Sequence, residues 1–501
     1  METLFEKLVP IYEKSMAFGS AMALLGWDNE TLAPPKAIGL TSKALGIISG
    51  ENYAAIVNDQ VKDLLKQLST EEENAKLTEY QKAIVKNLKK DFDEMEKIPA
   101  EEYQKFAELT SRAAQIWSNA KDNNDYASYK DTLQELFMYK KKFAEYCKKP
   151  EQRPYDYILD QYEEGFTTKI LDDFFGKLKD TILPLMKEIE KNTDKVDDSF
   201  LYGPTDIEKQ KEICLFLAKH IGFDLERGVM GESAHPFTTN LHKNDVRITN
   251  HFYPDNFTSS IFTVIHEGGH ALYEQDIDDE IAFTPIGGGT SMGVHESQSR
   301  LYENNIGRSK EFWTPIYDKL VSTFPEKLKG VTLDQFYRAI NASTPGLIRT
   351  DSDELTYCLH IMIRYEIEAM LFEGEASVDE LPAIWNKKYE EYLGVVPAND
   401  SEGILQDTHW SFGGFGYFPS YAIGNAIAAQ LMNAMKKEIP VSKLLENGNL
   451  APIREYLCNH IHKWGGSKKA DQLLRETTGE GFNPDYYINY LKNKYTEIYQ
   501  L

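Results

Sequence analysis

The chain has 501 residues, of which 42% are hydrophobic and 27% are charged. This composition excludes whole-chain disorder, collagen-like repeats and coiled-coil rods, and the length predicts either several domains or one large multi-helix body. The formal net charge of -24 repels nucleic acid and anionic membranes and does little against cationic or zwitterionic ligands such as peptides, so binding to DNA is disfavoured.

The N-terminal segment and the cysteines argue against export. Charges interrupt METLFEKLVPIYEK where a secretory signal needs an apolar core, and the longest nearly apolar run, AFGSAMALLGW, has 11 residues against the roughly 20 that span a bilayer. The four cysteines lack the paired spacing of a disulfide framework or zinc knuckle, and helical spacing of Cys358 from apolar residues favours a buried free thiol over a ligand or nucleophile. We therefore expect a cytoplasmic protein without a membrane span.

Helical patterns dominate the chain. Up to about Asp160 the sequence is rich in Lys and Glu with helical apolar spacing, as in EEYQKFAELTSRAAQIWSNA, and alternating strand patterns are scarce. Later Pro and Gly breaks separate segments of helix length, with no repeat and no Gly/Ser linker. We predict one mainly α domain over residues 1–501, with a helical part at about 1–200 and a functional part at about 201–501.

An amphipathic helix is predicted around HEGGHALYEQ, from His266 to Gln275. The loop FYPDNF and a choice of N-cap residues from Thr258 to Ser260 mark its start. The apolar face consists of Ile261, Val264, Ile265, Gly268 and Leu272, and the polar face of Thr263, His266, Glu267, His270 and Glu274. The polar face is therefore made of groups that can bind a metal.

Two histidines one turn apart can direct ring nitrogens at one point, as a zinc ion requires at about 2.0–2.1 Å. Glu267, directly after His266, can take a proton from a water on that metal and deliver it to a leaving amine, which is the chemistry of amide hydrolysis. With 11 His in the chain, the His-Glu-x-x-His pattern also arises by chance in about a few per cent of such chains. The pattern alone is therefore only an indication.

Gly268 and Gly269 interrupt this helix, and each is expected to cost about 1 kcal/mol relative to alanine. Gly268, on the apolar face, would let a neighbouring helix approach, and Gly269 can do the same. A structural and a catalytic use of the pair both stay open.

The third metal ligand is expected from SMGVHESQSRLYE, which also has a helical pattern. Glu296 shares one face with Ser299, Arg300 and Glu303, and His295 is the competing ligand. The intervening IGGGTSMG lacks the ending of a phosphate-binding loop and follows no strand, which favours a mobile or close-packed loop.

Six motifs carry a resemblance to a known family. They are HPF (235–237), DVRIT (245–249), HEGGH (266–270), HESQ (295–298), IRTDSD (348–353) and GILQDTHW (403–410). Together they resemble the carboxypeptidase Taq family of zinc metallopeptidases, and similarity at LLGWDNETLAPP and GYFPSYAIG extends it over nearly the whole chain. One departure is Ser352, where the family has alanine; Arg349 and Asp353 of that motif are retained, so local packing is in question rather than activity.

The resemblance implies a mainly α, neurolysin-like, saddle-shaped fold with a deep central active-site cleft, usually as a homodimer. It implies removal of single C-terminal residues from peptides with Zn²⁺ or sometimes Co²⁺. His266, His270 and Glu296 are then the expected metal ligands, and Glu267 the general base and acid. The interpretation from residue chemistry points to the same four side chains.

Further site residues follow from the motifs. Arg349 and Arg247 are candidates for binding the substrate's C-terminal carboxylate, because a guanidinium matches a carboxylate bidentately; the alternatives are salt bridges to Asp351 and Asp245. Candidates for binding the substrate backbone or the oxyanion are His235, His409, Tyr417 and Tyr421, each of which can instead be a core residue.

Three assignments complete the prediction. Gln406 and Asp407 could orient a metal ligand, and Trp410 is left out of the site because it can simply fill the core. The leading hypothesis is a cytosolic metallocarboxypeptidase of broad specificity. The alternatives are a metallo-oligopeptidase that cleaves internal bonds and a non-catalytic helical peptide-binding scaffold.

Overall fold

The computed structural model describes residues 2–501. Within this range the chain is 69% helical, with 23 α-helices and three short strands. The prediction of a mainly α fold is confirmed. No helix in residues 2–501 combines the length and the apolar character that crossing a bilayer requires.

The three strands lie together near the middle of the chain, between the tenth and eleventh helices. The first part contains α1 (Leu4–Thr31), α2 (Ile38–Ile56), α3 (Asp59–Leu68), α4 (Glu71–Asn74), α5 (Glu79–Lys97), α6 (Ala100–Asp122), α7 (Tyr126–Cys147), α8 (Pro154–Tyr162), α9 (Thr168–Glu190), α10 (Ile207–Ile221), β1 (Gly228–Glu232), β2 (Thr238–His242) and β3 (Asp245–Asn250). The second part contains α11 (Phe257–Gln275), α12 (Met292–Arg300), α13 (Lys310–Trp313), α14 (Tyr317–Thr323), α15 (Pro325–Leu328), α16 (Leu333–Ala339), α17 (Glu354–Glu373), α18 (Leu381–Leu393), α19 (Pro419–Glu438), α20 (Val441–Glu446), α21 (Ala451–His460), α22 (Ala470–Thr478) and α23 (Asp485–Tyr499).

The chain forms two compact units, and each is assembled from three separate segments. The first unit comprises the chain up to Glu96, Asp197–Ile340 and Ala428–Phe482. The second unit comprises Lys97–Val196, Asn341–Ile427 and Asn483–Leu501.

In the first unit, a three-stranded sheet supports helix α11. The strand order is β1-β3-β2, with β1 parallel and β2 antiparallel to β3. Val246 and Ile248 alternate along β3 as fully buried residues, as expected for a strand with one face covered by a helix. Thr238 and Asn240 on β2 are one period apart, so both side chains lie on the same face, and both contact residues of α11.

A second apolar cluster in the first unit joins α1, α3 and α5 to the loop after α11. Phe5 and Leu8 of α1 pack with Leu65 of α3, Leu88 of α5 and Ile281 of the loop. Helix α1 begins with a capping box, in which Thr3 and Glu6 each bind the other's backbone N–H. The loop that carries the Gly-rich segment is therefore held by buried apolar contacts.

In the second unit, α17 is the central buried helix. Asp353 caps its N-terminus by accepting hydrogen bonds from the backbone N–H groups of Leu355 and Thr356. Cys358 within it is buried, as predicted, and its Sγ lies 3.4 Å from the Tyr487 hydroxyl. Its buried Glu368 accepts hydrogen bonds from the Tyr155 hydroxyl, the Trp410 indole and the Gly416 backbone. Trp410 is thus a buried hydrogen-bond donor in this core.

Candidate metal centre

Helix α11 carries the HEGGH segment and begins earlier than the sequence suggested. The N-cap is Asn256, whose side chain accepts a hydrogen bond from the backbone N–H of Ser259. The expectation of a cap within residues 258–260 was therefore wrong, because the asparagine at the end of the loop provides the acceptor first.

The two glycines of α11 allow two neighbouring elements to approach it closely. A Cβ atom at Gly268 would lie 2.3 Å from Cδ1 of Ile221 on α10. A Cβ atom at Gly269 would lie 2.6 Å from the carbonyl oxygen of Gln298 and 2.7 Å from Cα of Ser299 on α12. The prediction that Gly268 lets a helix approach is confirmed, and Gly269 brings the backbone of α12 against α11.

This approach places Glu296 of α12 beside both histidines of α11. Potential ligand atoms of His266, His270 and Glu296 all lie within 4.8 Å of one another. Oε2 of Glu296 is 3.7 Å from Nε2 of His266 and 3.3 Å from Nε2 of His270. The three predicted ligands are thus brought together, and each presents one atom toward the others.

His295, the competing candidate, lies outside this group. Its Nδ1 is 2.6 Å from Nδ1 of His270, on the side of that ring away from Glu296. His295 and Glu296 are consecutive residues of α12, and consecutive side chains of a helix point about 100° apart. The two side chains therefore leave α12 in different directions. His295 therefore contacts a predicted ligand instead of joining the group.

The charges around the group favour an ionised Glu296 and a neutral His270, whereas for His266 burial is outweighed by Glu296 and Glu303, which raise its pKa. Burial opposes ionisation of Glu296, but the Arg300 guanidinium and His266 outweigh it and hold its pKa well below the usual range. Nε of Arg300 donates to Oε1 of Glu296 at 2.7 Å. Burial, together with His295 and His266, lowers the pKa of His270 to about 3, so this imidazole is neutral near pH 7.

The other nitrogen of His266 is held by Glu303, which the sequence interpretation did not assign. Nδ1 of His266 lies 2.9 Å from Oε2 of Glu303. The guanidinium groups of Arg300 and Arg308 donate to Glu303 at 3.1 and 3.2 Å. Glu303 lies in a π-helical turn, Leu301–Gly307, that continues α12. In the sequence, the only indication of this role was that Glu303 shares a helix face with Glu296.

Glu267 points toward the sheet, where Thr238 binds it. The Thr238 hydroxyl donates to Oε2 of Glu267 at 2.5 Å, and the side chain of Glu267 is buried. Burial raises the pKa of this carboxyl group, and His266 together with the Thr238 hydrogen bond opposes the increase. The acidic residue next to the first histidine is thus anchored by β2.

The remaining predicted residues of the first unit differ in exposure. His235 is exposed, and its backbone carbonyl accepts a hydrogen bond from the Ser233 hydroxyl. Arg247 forms a bidentate ion pair with Asp245, at 2.7 Å from Nε and 2.8 Å from Nη2, and lies over the ring of Trp27. The salt-bridge alternative for Arg247 is therefore present in the structure.

In the second unit, Arg349 pairs with Asp407 rather than with Asp351. Its Nε and Nη2 donate to Oδ1 of Asp407 at 3.0 and 2.7 Å, while Arg364 donates to Oδ2 at 2.6 Å. Burial opposes ionisation of Asp407, but the two guanidinium groups hold its pKa far below the usual range. Arg349 is buried whereas Asp351 is exposed at the surface, so the salt bridge expected between them is replaced by the pair with Asp407.

Gln406 and Asp407 bind these arginines. Oε1 of Gln406 accepts from the backbone N–H of Arg349 at 3.1 Å and from Arg364 at 2.7 Å. The hydrogen bonds of His266 and His270 go instead to Glu303 and His295, so the prediction that Gln406 and Asp407 orient a metal ligand finds no support in their contacts.

Ser352, the residue that departs from the family pattern, fits without disturbing this network. Its hydroxyl donates to the carbonyl oxygen of Arg349 at 2.6 Å. Alanine could not make this hydrogen bond.

His409, Tyr417 and Tyr421 form an aromatic group beside Arg349. Nε2 of His409 lies 3.0 Å from the Tyr421 hydroxyl, and the rings of Tyr417 and Tyr421 are 5.4 Å apart. The Arg349 guanidinium lies 5.1 Å from the centre of the Tyr421 ring. Burial, followed by the nearby Arg349, lowers the pKa of His409 to about 3, which keeps this imidazole neutral.

A mainly α chain with two histidines one turn apart, a glutamate on the adjoining helix and an anchored acid beside the first histidine has the features of a metallopeptidase. A family model described as carboxypeptidase Taq (M32) metallopeptidase matches residues 8–495. The chain belongs to this family, whose members are metal-dependent carboxypeptidases and therefore hydrolases. The resemblance drawn from the six motifs is confirmed.

Similar proteins match this chain over nearly its whole length. Carboxypeptidase 1 of Bacillus subtilis is 41% identical over 502 residues, which cover 100% of both chains. Thermostable carboxypeptidase 1 of Pyrococcus furiosus is 35% identical and covers 99% of this chain and 100% of its own. The crystal structure of the M32 carboxypeptidase from Deinococcus radiodurans has a TM-score of 0.95 at 32% identity and covers 99% of this chain and 100% of that chain.

Proposed function

We propose that the protein is a zinc carboxypeptidase of broad specificity that hydrolyses the last peptide bond of short or unfolded peptides. The observation that carries this proposal is the grouping of His266, His270 and Glu296 beside the anchored carboxylate of Glu267. Membership in a metal-dependent carboxypeptidase family supplies the reaction class. The metal, the general base and the breadth of specificity are the parts that we add.

The donor set suits zinc. Two imidazoles and one carboxylate are three protein ligands, the number that a catalytic zinc site uses while it keeps a position open. Nε2 of His266, Nε2 of His270 and Oε2 of Glu296 would hold the ion. Cobalt accepts the same nitrogen and oxygen ligands and is the second candidate. When bound, the ion supplies Lewis-acid polarisation of the scissile carbonyl group.

Glu267 moves the proton in this proposal. Its carboxylate takes a proton from the attacking water as the new C–O bond forms, and then delivers that proton to the leaving amine nitrogen as the C–N bond breaks. The Thr238 hydroxyl occupies Oε2 and limits rotation of the carboxylate, which leaves Oε1 for the proton transfer.

The substrate's C-terminal carboxylate is assigned to an arginine. Asp407 orients Arg349 through Nε and Nη2, and Asp245 does the same for Arg247. Nη1 of Arg349 donates one hydrogen bond to the Tyr357 hydroxyl at 3.3 Å, so its second N–H is the group assigned to the substrate carboxylate, as Nη1 is in Arg247. We favour Arg349 because its side chain also contacts Tyr421. Arg247 is the alternative.

Four further residues are assigned to the substrate backbone or to the oxyanion. Tyr421 and His409 are coupled by the 3.0 Å contact, and hydrogen bonding by His409 would direct the Tyr421 hydroxyl. Tyr417 packs against both rings, and His235 is exposed and so accessible to a peptide. We include homodimer formation and a cytoplasmic location in the proposal; sedimentation velocity tests the former.

A pair of matched peptides tests the exopeptidase assignment. The zinc-loaded protein is incubated with one peptide as the free acid and with the same sequence as the C-terminal amide, and the products are read by mass spectrometry. We expect the free acid to lose single C-terminal residues, and the amide to react at least about tenfold more slowly because it lacks the charge that the arginine binds. Equal cleavage of both peptides would favour an oligopeptidase, and absence of any product from a zinc-loaded sample would favour a binding scaffold.

A further inference from the structure

We propose that His295 and Glu274 form a hydrogen-bonded relay that positions His270 and selects its metal-binding tautomer. This inference rests on the metal site proposed above. Nδ1 of His270 lies 2.6 Å from Nδ1 of His295, and Nε2 of His295 lies 2.7 Å from Oε1 of Glu274. The three side chains therefore make a continuous line from the predicted ligand to a buried carboxylate.

The chemistry of the end group sets the direction of every hydrogen bond in this line. An ionised carboxylate only accepts, so Nε2 of His295 must carry its proton and donate it to Glu274. A neutral His295 then has a lone pair on Nδ1, which can accept from His270 but cannot donate to it. His270 consequently carries its proton on Nδ1 and presents the lone pair of Nε2, which is the atom directed at Glu296.

Glu274 is fixed at the far end of the relay by donors from two other segments. The backbone N–H of Gly289 donates to Oε1 at 3.1 Å, and the side-chain amide of Asn240 on β2 donates to Oε2. The side chain of Glu274 is only 6% exposed, so water does not compete appreciably for these positions. These hydrogen bonds to both oxygens fix the orientation of the carboxylate, which accepts from His295 in that position.

The Gly-rich loop before α12 holds the ring of His295 in place. A Cβ atom at Gly289 would lie 2.6 Å from Cδ2 of His295 and 2.9 Å from Cε1 of Tyr273. Only glycine allows the backbone to pack this closely on both rings while its N–H reaches Glu274. Of the two alternatives for IGGGTSMG, a mobile loop and a close-packed loop, the structure has the close-packed one. Its tight packing against His295 gives it a role in the relay.

Two substitutions of His295 separate positioning from packing. The side-chain oxygen of asparagine can replace the acceptor at Nδ1, whereas glutamine reaches the Nε2 position and leaves His270 without that acceptor. We expect His295→Gln to bind zinc about 10–100-fold more weakly than the wild type, the usual effect of losing a partner of a metal-bound histidine, and His295→Asn to stay within about threefold. Zinc affinity is measured by competition with a fluorescent chelator, and the visible spectrum of the cobalt-loaded protein reports the ligand geometry.

His460→Gln is the matched control, because Nδ1 of His460 bonds to the carbonyl oxygen of Tyr456 in its own helix, so the substitution leaves the relay intact and should leave the zinc affinity unchanged. Gly289→Ala keeps every polar group of the relay and displaces the ring of His295; we expect it to lower the zinc affinity about tenfold. Guanidine denaturation of the metal-free variants shows that each is folded, and Gly289→Ala carries the test if a His295 variant is not.

The relay is overturned if His295→Gln binds zinc as tightly as His295→Asn with an identical cobalt spectrum, or if Gly289→Ala binds it as tightly as the wild type. These outcomes differ from failure of the proposed function. A wild-type protein that binds zinc but cleaves no peptide refutes the proposed activity and leaves the ordering of zinc affinities intact.

Discussion

Replacing Gly269 by alanine should disturb the metal site without changing any predicted ligand. The added Cβ would lie 2.6 Å from the carbonyl oxygen of Gln298, whereas ordinary contact begins at 3.4 Å. This oxygen and Cα of Ser299, which would lie 2.7 Å away, both belong to the backbone of α12. The helix must therefore move away by about 0.8 Å, and Glu296 moves with it. Overpacking costs about 1–3 kcal/mol, and the better helix propensity of alanine offsets about 1 kcal/mol of it.

We therefore expect Gly269→Ala to lose about 1 kcal/mol of unfolding free energy and to bind zinc at least about tenfold more weakly, since one of three ligands is displaced. Urea denaturation of the metal-free protein and chelator competition measure the two effects. Gly268→Ala is the control, because its Cβ meets Cδ1 of Ile221, the end of a flexible side chain that can rotate away. Equal zinc affinities for the two variants would refute the reasoning.

Three more changes test other parts of the molecule. Glu267→Gln should keep the zinc affinity and lower kcat by at least about 100-fold, because the side chain keeps its size but can no longer act as a base. A near wild-type rate would show that Glu267 does not transfer the proton. Arg349→Ala should raise KM for free-acid peptides about 10–100-fold and leave KM for the amides unchanged; an unchanged KM for the free acids would exclude Arg349 as the carboxylate-binding group. Burial raises the pKa of Glu368 to about 7, so the folded protein holds a proton there that the unfolded chain releases near pH 4.5, and this group lowers stability as pH rises from about 4.5 to 7. Glu368→Gln should remove that decrease, by on the order of 3 kcal/mol relative to the wild type, in urea denaturation at about pH 5 and pH 8; parallel pH profiles would contradict the assignment.

Local spacing explains which parts of the site could be predicted. His266 and His270 are one helical turn apart, so any helix over this segment directs both rings to one side. Glu296 could be proposed because its helix offers a carboxylate on a polar face, but its distance from the histidines depends on how closely α11 and α12 approach. That approach depends in turn on Gly269, whose purpose the sequence left open.

Partners that come from distant segments could not be assigned. Glu303 was visible as a polar residue on the face of Glu296, yet only the packing of α11 against the π-helical turn brings it to His266. Arg349 was expected to pair with its near neighbour Asp351 if with any acid, and it pairs with Asp407, which is 58 residues away. Only residues close in sequence can be proposed as partners from the sequence, whereas a buried guanidinium pairs with the carboxylate that packing of the core brings next to it.

The amino-acid sequence by itself determined the helical class of this protein, its family and the identity of the side chains that can bind a metal, because periodicity and motif spacing act over a few residues. Tertiary structure alone decided that His295 contacts His270 instead of joining the group, that Glu303 orients His266 and that Asp407 holds Arg349. Those outcomes depend on the direction in which each side chain leaves its helix and on the distance between helices. Both are set by close packing over the whole core.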